Sequence, residues 1–273
     1  MQGAFIGRDR ELAELVAGLL DAIEGRGGVF LITGEAGIGK TALADRLATQ
    51  GVARGALALW GRCWEGAGAP PYWPWAQIIR TLAGELDDGT LRSLVPSGDA
   101  EIARLVPDLA ARLGESPDPI HEIESDAERF YLFEAVATYL TNASSAQPLV
   151  LVLDDLYDAD RSSLLLLRFM VRDARTSRML VVATYREAEP VPPPEAEDVF
   201  AALAREGTVI GLGGLDREEV GRLVEEVSGT VPAPAKVSAI HEATEGNPLF
   251  VREVTRLEVA QAPPDRQERS SIS

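Results

Sequence analysis

The eight residues from Gly34 to Thr41 constrain this chain more than any other part of its sequence. They read Gly-Glu-Ala-Gly-Ile-Gly-Lys-Thr, the pattern GxxxxGK(S/T) of a phosphate-binding P-loop. The apolar run at 29–32 directly precedes them and predicts a buried strand. A strand that leads through such a loop into a helix is the context in which this pattern binds phosphate, whereas a glycine-rich turn before an ordinary helix is the alternative. We therefore expect a nucleoside triphosphate and magnesium as the ligands.

Each residue type in the loop has a chemical reason. Glycines let consecutive backbone N–H groups approach a phosphate, and the helix predicted at 40–50 adds the positive end of its dipole. Lys40, one of two lysines in the chain, would lie between the β- and γ-phosphates, and the Thr41 hydroxyl would bind Mg²⁺. The predicted nucleotide-binding residues of the loop are Gly34, Glu35, Ala36, Gly37, Ile38, Gly39, Lys40, Thr41 and Ala42.

Composition excludes several other functions. The formal net charge of −17 argues against direct nucleic-acid binding by this chain, because that needs a basic surface. No apolar run approaches the length of a membrane span, so we expect no membrane partner. The single cysteine, Cys63, cannot form an internal disulfide, and two histidines provide no zinc cluster. We expect a protein of the reducing cytoplasm.

Short apolar segments alternate with helical patterns along most of the chain. The predicted strands lie at 29–33, 56–60, 149–153, 179–184 and 208–212. This alternation predicts an α/β fold, a P-loop NTPase with a five-stranded parallel sheet flanked by helices and followed by a small helical lid subdomain.

The same patterns predict the domain organisation. We expect a nucleotide-binding α/β domain at 1–214, a helical lid at 215–261 and a flexible tail at 262–273. Within the first domain, a helical insert at about 72–143 would contain helices at 73–86, 100–113 and 122–142, and the proline-rich segment at 187–198 predicts a stiff surface loop. The lid would contain helices at 216–227, 233–245 and 248–260.

Two carboxylates follow the third predicted strand. Asp154 and Asp155 come directly after five apolar residues, as in a Walker B site. Because successive strand residues point to opposite sides, the two acids should differ in role. Asp154 would hold Mg²⁺ and Asp155 would orient or deprotonate the attacking water. The alternative is that both acids cap the next helix, although Asp158 and Asp160 suit that role better.

The fourth predicted strand ends at Arg186. A guanidinium at this edge of the sheet could bind the γ-phosphate and respond to its presence. The alternative is a solvated arginine at the start of the proline-rich loop. With Lys40 and Asp155, Arg186 completes the predicted catalytic set.

These pieces together resemble the nucleotide-binding domain of STAND-class signalling ATPases, within the broader AAA-like group, and most closely that of large ATP-binding LuxR-type transcriptional regulators. The N-terminal Phe5, Ile6, Gly7 and Arg8 are similar to the family's hhGRxxE opening, which flanks adenine. The resemblance to this family also rests on three further segments: the aromatic stretch at 62–75, the glycine-rich segment at 211–216 and the GNPLF-type motif at 245–250. The resemblance implies that Pro248 lies by the base and sugar, and that the strand ending in Arg186 lies between the P-loop strand and the acid-bearing strand.

The resemblance implies a switch with slow hydrolysis. The ADP form would be closed, and ATP would open the protein and let it self-associate. Relatives commonly have His-Trp after the Walker acids, whereas this chain has Tyr157 and Asp158, which adds negative charge near the triphosphate. Relatives also continue into sensor and DNA-binding domains, so we expect either an excised module or an ATPase whose output lies in a regulatory protein or domain in trans. A small-molecule kinase and a non-hydrolysing module with fixed ADP are the alternatives.

Overall fold

The computed structural model describes residues 5–64, 66, 68–95, 101–114, 125–186 and 194–261. The strands are β1 Gly28–Gly34, β2 Leu57–Arg62, β3 Leu149–Asp154, β4 Met179–Arg186 and β5 Thr208–Leu212. The α-helices are α1 Asp9–Ile23, α2 Lys40–Val52, α3 Trp73–Gly84, α4 Asp88–Leu94, α5 Glu101–Leu105, α6 Ala110–Leu113, α7 Asp126–Ala146, α8 Arg161–Ala174, α9 Pro194–Glu206, α10 Arg217–Ser228, α11 Pro234–Thr244 and α12 Pro248–Gln261. Short 3-10 helices lie at Pro107–Leu109 and Leu156–Asp158.

The strands form one parallel sheet in the order β2-β3-β4-β1-β5. The predicted α/β P-loop fold is therefore confirmed. The predicted place of β4 is confirmed as well, because β4 pairs with β1 on one side and with β3 on the other. All six residues of β3 are buried, as expected for a central strand whose two faces are both covered.

Helices pack on both faces of the sheet. Leu149, Leu151 and Leu153 of β3 belong to the main apolar core, together with residues of α3, α7, α8 and α9. The alternate residue Val150 lies on the opposite face, where Gly51 of α2 approaches it. The absence of a side chain at Gly51 allows this approach, because an added Cβ would lie 3.0 Å from a methyl group of Val150.

Three details of the helical prediction are wrong. The helix expected at 100–113 is interrupted, because Pro107 lacks a backbone donor and disfavours the helical conformation for Val106. Helix α4 was not predicted, although Asp87 caps it by accepting hydrogen bonds from two backbone N–H groups. The proline-rich loop does not extend to 198, because α9 begins at Pro194, a position where helices tolerate proline. Residues 187–193 and the predicted tail at 262–273 lie outside the described residues.

The described chain divides into two compact units. The larger unit consists of Asp9–Gly34 and Lys40–Gly211, and contains α1 to α9 and nearly all of the sheet. The smaller unit consists, in its described part, of residues 5–8, the loop centre Glu35–Gly39, and residues 212–261. Its own core consists of apolar side chains of α10, α11 and α12 with Leu215, and Ile6 packs against that core.

Candidate functional site

In the larger unit, the carboxylate of Asp154 is the centre of a hydrogen-bond cluster. Asp154 ends β3 and is 8% exposed. The hydroxyl of Thr41, at the start of α2, donates to Asp154 Oδ1 at 2.9 Å and lies 3.2 Å from Oδ2. The hydroxyl of Thr184, in β4, donates to the same Oδ1 at 2.7 Å. The two side chains predicted to hold the metal are therefore in direct contact, although 113 residues separate them in sequence.

Asp155 has a different environment from its neighbour. Its backbone is left-handed, with φ 65°, and its N–H donates to Thr184 Oγ1 at 2.8 Å. Its Oδ2 accepts a hydrogen bond from Nη2 of Arg186, while Oδ1 is buried and has no hydrogen-bond partner among the described residues. Two residues of the predicted catalytic set, Asp155 and Arg186, thus form an ion pair with each other.

Two further acids follow Asp155 in the chain. Asp158 Oδ2 is 3.9 Å from Arg186 Nη2, in the 3-10 turn that follows Asp155. Asp160 caps α8 by accepting from the N–H of Ser163 at 3.0 Å. Of the two acids expected to act as caps, Asp160 therefore does so, whereas Asp158 adds its charge to the surroundings of Arg186.

The pKa of the Cys63 thiol is sensitive to the negative charge at this edge of the sheet. Cys63 follows β2, and its N–H donates to the carbonyl oxygen of Asp154 at 3.1 Å. Its pKa is raised from 9.0 to about 12, first by burial and then by the charges of Asp160, Asp155, Asp158 and Asp154. The sheet edge is therefore rich in carboxylates, which favours the binding of a cation.

The predicted phosphate-binding lysine lies at the start of α2. Lys40 is 8% exposed, and its Nζ donates to the carbonyl oxygen of Gly34 at 2.9 Å. Gly34 ends β1 and is buried, whereas Thr41 and Ala42, which follow the lysine, are exposed. The lysine ammonium is therefore held at the end of the P-loop strand, next to a helix N-terminus that favours anions.

The residues of the larger unit fit a magnesium ion. Among the residues that the structure describes, no three His, Cys, Asp or Glu side chains form a metal-binding group. Mg²⁺ in nucleotide sites needs no such group, because it keeps several waters and binds through one or two carboxylates plus phosphate oxygens. Thr41 and Asp154 carry oxygen atoms of the kind that could hold such an ion.

In the smaller unit, the loop centre packs against the GNPLF-type motif. The side-chain Nδ2 of Asn247 donates to the carbonyl oxygen of Ala36 at 2.9 Å, and its Oδ1 accepts from the N–H of Leu249 at 3.1 Å. Asn247 is 3% exposed. Gly37 has φ 78°, and an added Cβ would lie 2.7 Å from the Cβ of Leu249. A side chain at this loop position would therefore collide with α12, in addition to the strain of a left-handed backbone.

The rest of the loop centre is exposed at one end and buried at the other. Glu35 and Ala36 are exposed, Ile38 is buried, and Gly39 has φ 106°. Left-handed glycines among consecutive peptide groups are typical of the backbone concavities that bind anions. The loop centre therefore has the backbone features that phosphate binding requires.

The N-terminal residues predicted near adenine contact the rest of the smaller unit in two ways. Phe5 and Ile6 are half-buried, and Ile6 packs against the core of α10, α11 and α12. Gly7 and Arg8 have left-handed backbones, and Arg8 Nη2 donates to the carbonyl oxygens of Ile38, at 3.4 Å, and Gly213. Pro248 begins α12 and is half-buried. The guanidinium of Arg8 thus joins the loop centre to the segment that precedes α10.

Sequence reasoning missed two residues of this site. Thr184 lies two residues before Arg186, and its only sequence signal is a hydroxyl at the end of an apolar strand. Asn247 lies within the GNPLF-type motif, where we singled out Pro248 instead. Each has a hydrogen-bond partner that is distant in sequence, Asp154 for Thr184 and Ala36 for Asn247, and only the folded chain reveals these contacts.

The chain belongs to the AAA ATPase domain family, whose pattern matches residues 4–182. AAA ATPases in general bind ATP or ADP with Mg²⁺ and hydrolyse ATP. No protein of curated function matches the chain in sequence. Among the residues described, no helix has the length and apolarity needed to cross a membrane.

Several solved structures are similar to this chain. One is a Signal Transduction ATPase with Numerous Domains (STAND) protein with a tetratricopeptide repeat sensor from Pyrococcus horikoshii, at 18% identity and TM-score 0.48, where 97% of this chain and 33% of that chain are covered. Another is the ORC2 protein of Aeropyrum pernix, at 16% identity and TM-score 0.47, with 98% and 72% covered. A RuvB variant of Thermotoga maritima gives 14% identity and TM-score 0.49, with 94% and 65% covered. The chain thus spans about a third of the length of the first of these proteins.

Proposed function

We propose that this chain is the ATP-binding, slowly hydrolysing switch module of a bacterial signalling or transcriptional regulator, closed with ADP and open with ATP. The observation that carries the proposal is the hydrogen bond between the P-loop Thr41 and the Walker acid Asp154, at 2.9 Å. A glycine-rich turn before an ordinary helix gives no reason for this contact, whereas a Mg-nucleotide site needs these two oxygen-bearing side chains next to each other. The STAND resemblance of the sequence supports the signalling role.

The proposal gives each group of the larger unit a separate task. Lys40 provides a buried positive charge for the β- and γ-phosphates, and Thr41 with Asp154 would hold Mg²⁺. When bound, Mg²⁺ neutralises phosphate charge. Asp155 would accept the proton of the attacking water, because its buried Oδ1 has no protein partner among the described residues.

The ion pair between Asp155 and Arg186 supports slow, regulated hydrolysis. While Arg186 holds Oδ2 of Asp155, that oxygen is not available to orient the attacking water. A γ-phosphate would compete for the same guanidinium, since Arg binds phosphate as readily as carboxylate. We propose that Arg186 responds to the γ-phosphate in this way. Asp158, 3.9 Å from Arg186, would compete with the phosphate for it and keep the reaction slow.

The smaller unit would act as the lid. Asn247 and Leu249 contact the loop centre at Ala36 and Gly37, so α12 is in a position to respond to the conformation of the loop. Residues 5–8 and Pro248 would flank the base, residues 215–261 would form a helical lid subdomain, and residues 1–214 would form the nucleotide-binding domain. Opening with ATP would expose a surface for self-association or for a regulatory partner in trans.

The experiment compares nucleotide binding and turnover in two site variants and one control. Lys40→Ala should abolish binding, because the phosphates lose their buried cation, and Asp155→Ala should retain binding but lose turnover. The control is Lys236→Ala, which removes the only other lysine of the chain, half-exposed and 2.8 Å from Glu258. Bound nucleotide is identified by chromatography after denaturation, and turnover by phosphate release with Mg-ATP.

The outcomes separate this proposal from its alternatives. Normal ATP binding by Lys40→Ala would refute the P-loop assignment. Stoichiometric ADP that neither exchanges nor turns over in the wild-type protein would favour the fixed-cofactor module. Phosphoryl transfer to a hydroxyl compound would favour the kinase.

A further inference from the structure

Thr184 is buried between the two Walker acids and contacts both. Its hydroxyl donates to Asp154 Oδ1 at 2.7 Å and accepts from the N–H of Asp155 at 2.8 Å. The residue is 1% exposed, so no bulk water reaches it. It lies in β4, whereas both acids are at the end of β3, and the parallel pairing of these strands brings them together.

We infer that Thr184 is a positioning residue that fixes the metal-binding acid and the catalytic acid relative to each other. The inference rests on the proposed function, because it assigns the two acids their roles. Thr184 need not touch the nucleotide for this purpose. It acts through Asp154 and Asp155.

The hydrogen-bonding capacity of a threonine hydroxyl explains why this residue type suits the position. A hydroxyl has one proton to donate and two lone pairs to accept with. The proton of Thr184 is directed to a carboxylate oxygen, which leaves a lone pair for the N–H of Asp155. Valine has the same shape but can make neither bond, and serine can make both.

Each of the two bonds has its own consequence. With Thr41 and Thr184 both donating to Oδ1, the carboxylate of Asp154 is held in one rotation, and Oδ2 is the less occupied oxygen. The bond to the N–H of Asp155 supports a left-handed backbone, φ 65°, that a non-glycine residue adopts only where its surroundings hold it. That backbone conformation directs the side chain of Asp155 toward Arg186.

The test uses Thr184→Val and Thr184→Ser, with Thr33→Val as the matched control. Thr33 is a buried threonine near the end of β1, and its hydroxyl has no hydrogen-bond partner among the described residues. Removing that hydroxyl should leave the protein unchanged, whereas removing the hydroxyl of Thr184 should not. Urea unfolding of each variant verifies that it is folded.

Two measurements examine the two acids separately, metal affinity for Asp154 and turnover for Asp155. Electron paramagnetic resonance of Mn²⁺ with ADP measures the metal affinity without turnover, and phosphate release gives kcat and KM for Mg-ATP. Thr184→Val should lose about 10–100-fold in Mn²⁺ affinity and in kcat, as is typical when a partner of a metal ligand is removed. KM should change far less than kcat, and Thr184→Ser should restore both readouts.

Three results would overturn the inference. The first is a Thr184→Val protein whose Mn²⁺ affinity and kcat equal those of the wild type. The second is an equal loss of Mn²⁺ affinity and kcat in Thr184→Val and Thr184→Ser. The third is a loss of the same size in the control Thr33→Val. If Thr184→Val does not fold, Thr184→Ala is compared with Thr184→Ser instead. Equal Mn²⁺ affinity and equal kcat in these two variants would refute the inference. A wild-type protein that binds no nucleotide refutes the proposed function and the inference together. If the wild type binds nucleotide but the Thr184 variants keep its Mn²⁺ affinity and kcat, the inference alone is refuted.

Discussion

The thiol of Cys63 should react slowly in the folded protein, because burial and, second, the charge of the acidic sheet edge raise its pKa. Cys63 is the only cysteine of the chain, so alkylation has a single product. Its pKa is raised from 9.0 to about 12, by burial first and by the neighbouring carboxylates second. Because only the thiolate reacts, this shift directly lowers the alkylation rate.

The expected size of the effect follows from two opposing factors. At pH 8, raising the pKa from 9.0 to about 12 lowers the thiolate fraction about 1,000-fold. A more basic thiolate is also a better nucleophile, by about 20-fold over three pKa units for a Brønsted coefficient of 0.4–0.5. The folded protein should therefore react about 50-fold more slowly than the unfolded chain, before steric protection is counted.

The assay is alkylation by iodoacetamide between pH 7 and pH 10.5, followed by mass spectrometry, in buffer and in urea. The folded rate should keep rising tenfold per pH unit over the whole range, while the rate in urea levels off above about pH 9. Because burial and the carboxylates disfavour the thiolate in the folded state, the stability of the protein should fall as the pH rises from about 9 to about 12. Asp158→Asn should speed alkylation, and Asp108→Asn, an exposed surface acid, should not. A folded rate that levels off near pH 9 would refute the reasoning.

Two further predictions concern the lid and the arginine. Asn247→Ala should destabilise the smaller unit by about 2 kcal/mol, the sum of one hydrogen bond to Ala36 and one helix cap at Leu249, and it should speed ADP release. Asn247→Ser keeps only the helix cap, so its free energy of unfolding, measured in urea, should fall by about half as much as that of Asn247→Ala. Equal losses in the two variants would show that the two bonds do not contribute separately. Arg186→Gln should weaken ATP binding more than ADP binding in calorimetry, because only ATP carries the γ-phosphate, and equal weakening would exclude a sensor role.

The sheet could be predicted because its signals are local. Each strand is a short apolar run, and the P-loop and the acid pair mark the ends of two of them. The position of Asp154 next to Thr41 follows from parallel strands that end at one edge. By contrast, Pro107 interrupts a helix whose apolar pattern continues through it, because the missing backbone donor outweighs the pattern.

The hydrogen-bond partners in the site could not be predicted in the same way. Thr184 and Asn247 are ordinary polar residues in sequence, and their roles depend on atoms more than 25 residues away along the chain. The pairing of Arg186 with Asp155 was also not evident, since the sequence indicates only that both lie at the same sheet edge. Burial and side-chain direction, which fix these contacts, are properties of the folded chain.

The most direct test of the proposed switch is the nucleotide that the purified protein carries and exchanges. The protein is denatured, the released nucleotide is identified by chromatography, and native protein is then incubated with Mg-ATP while phosphate release is followed. The account predicts bound ADP that exchanges for ATP and is regenerated slowly, and no bound nucleotide in Lys40→Ala. Wild-type protein that neither carries nor binds an adenine nucleotide would contradict it.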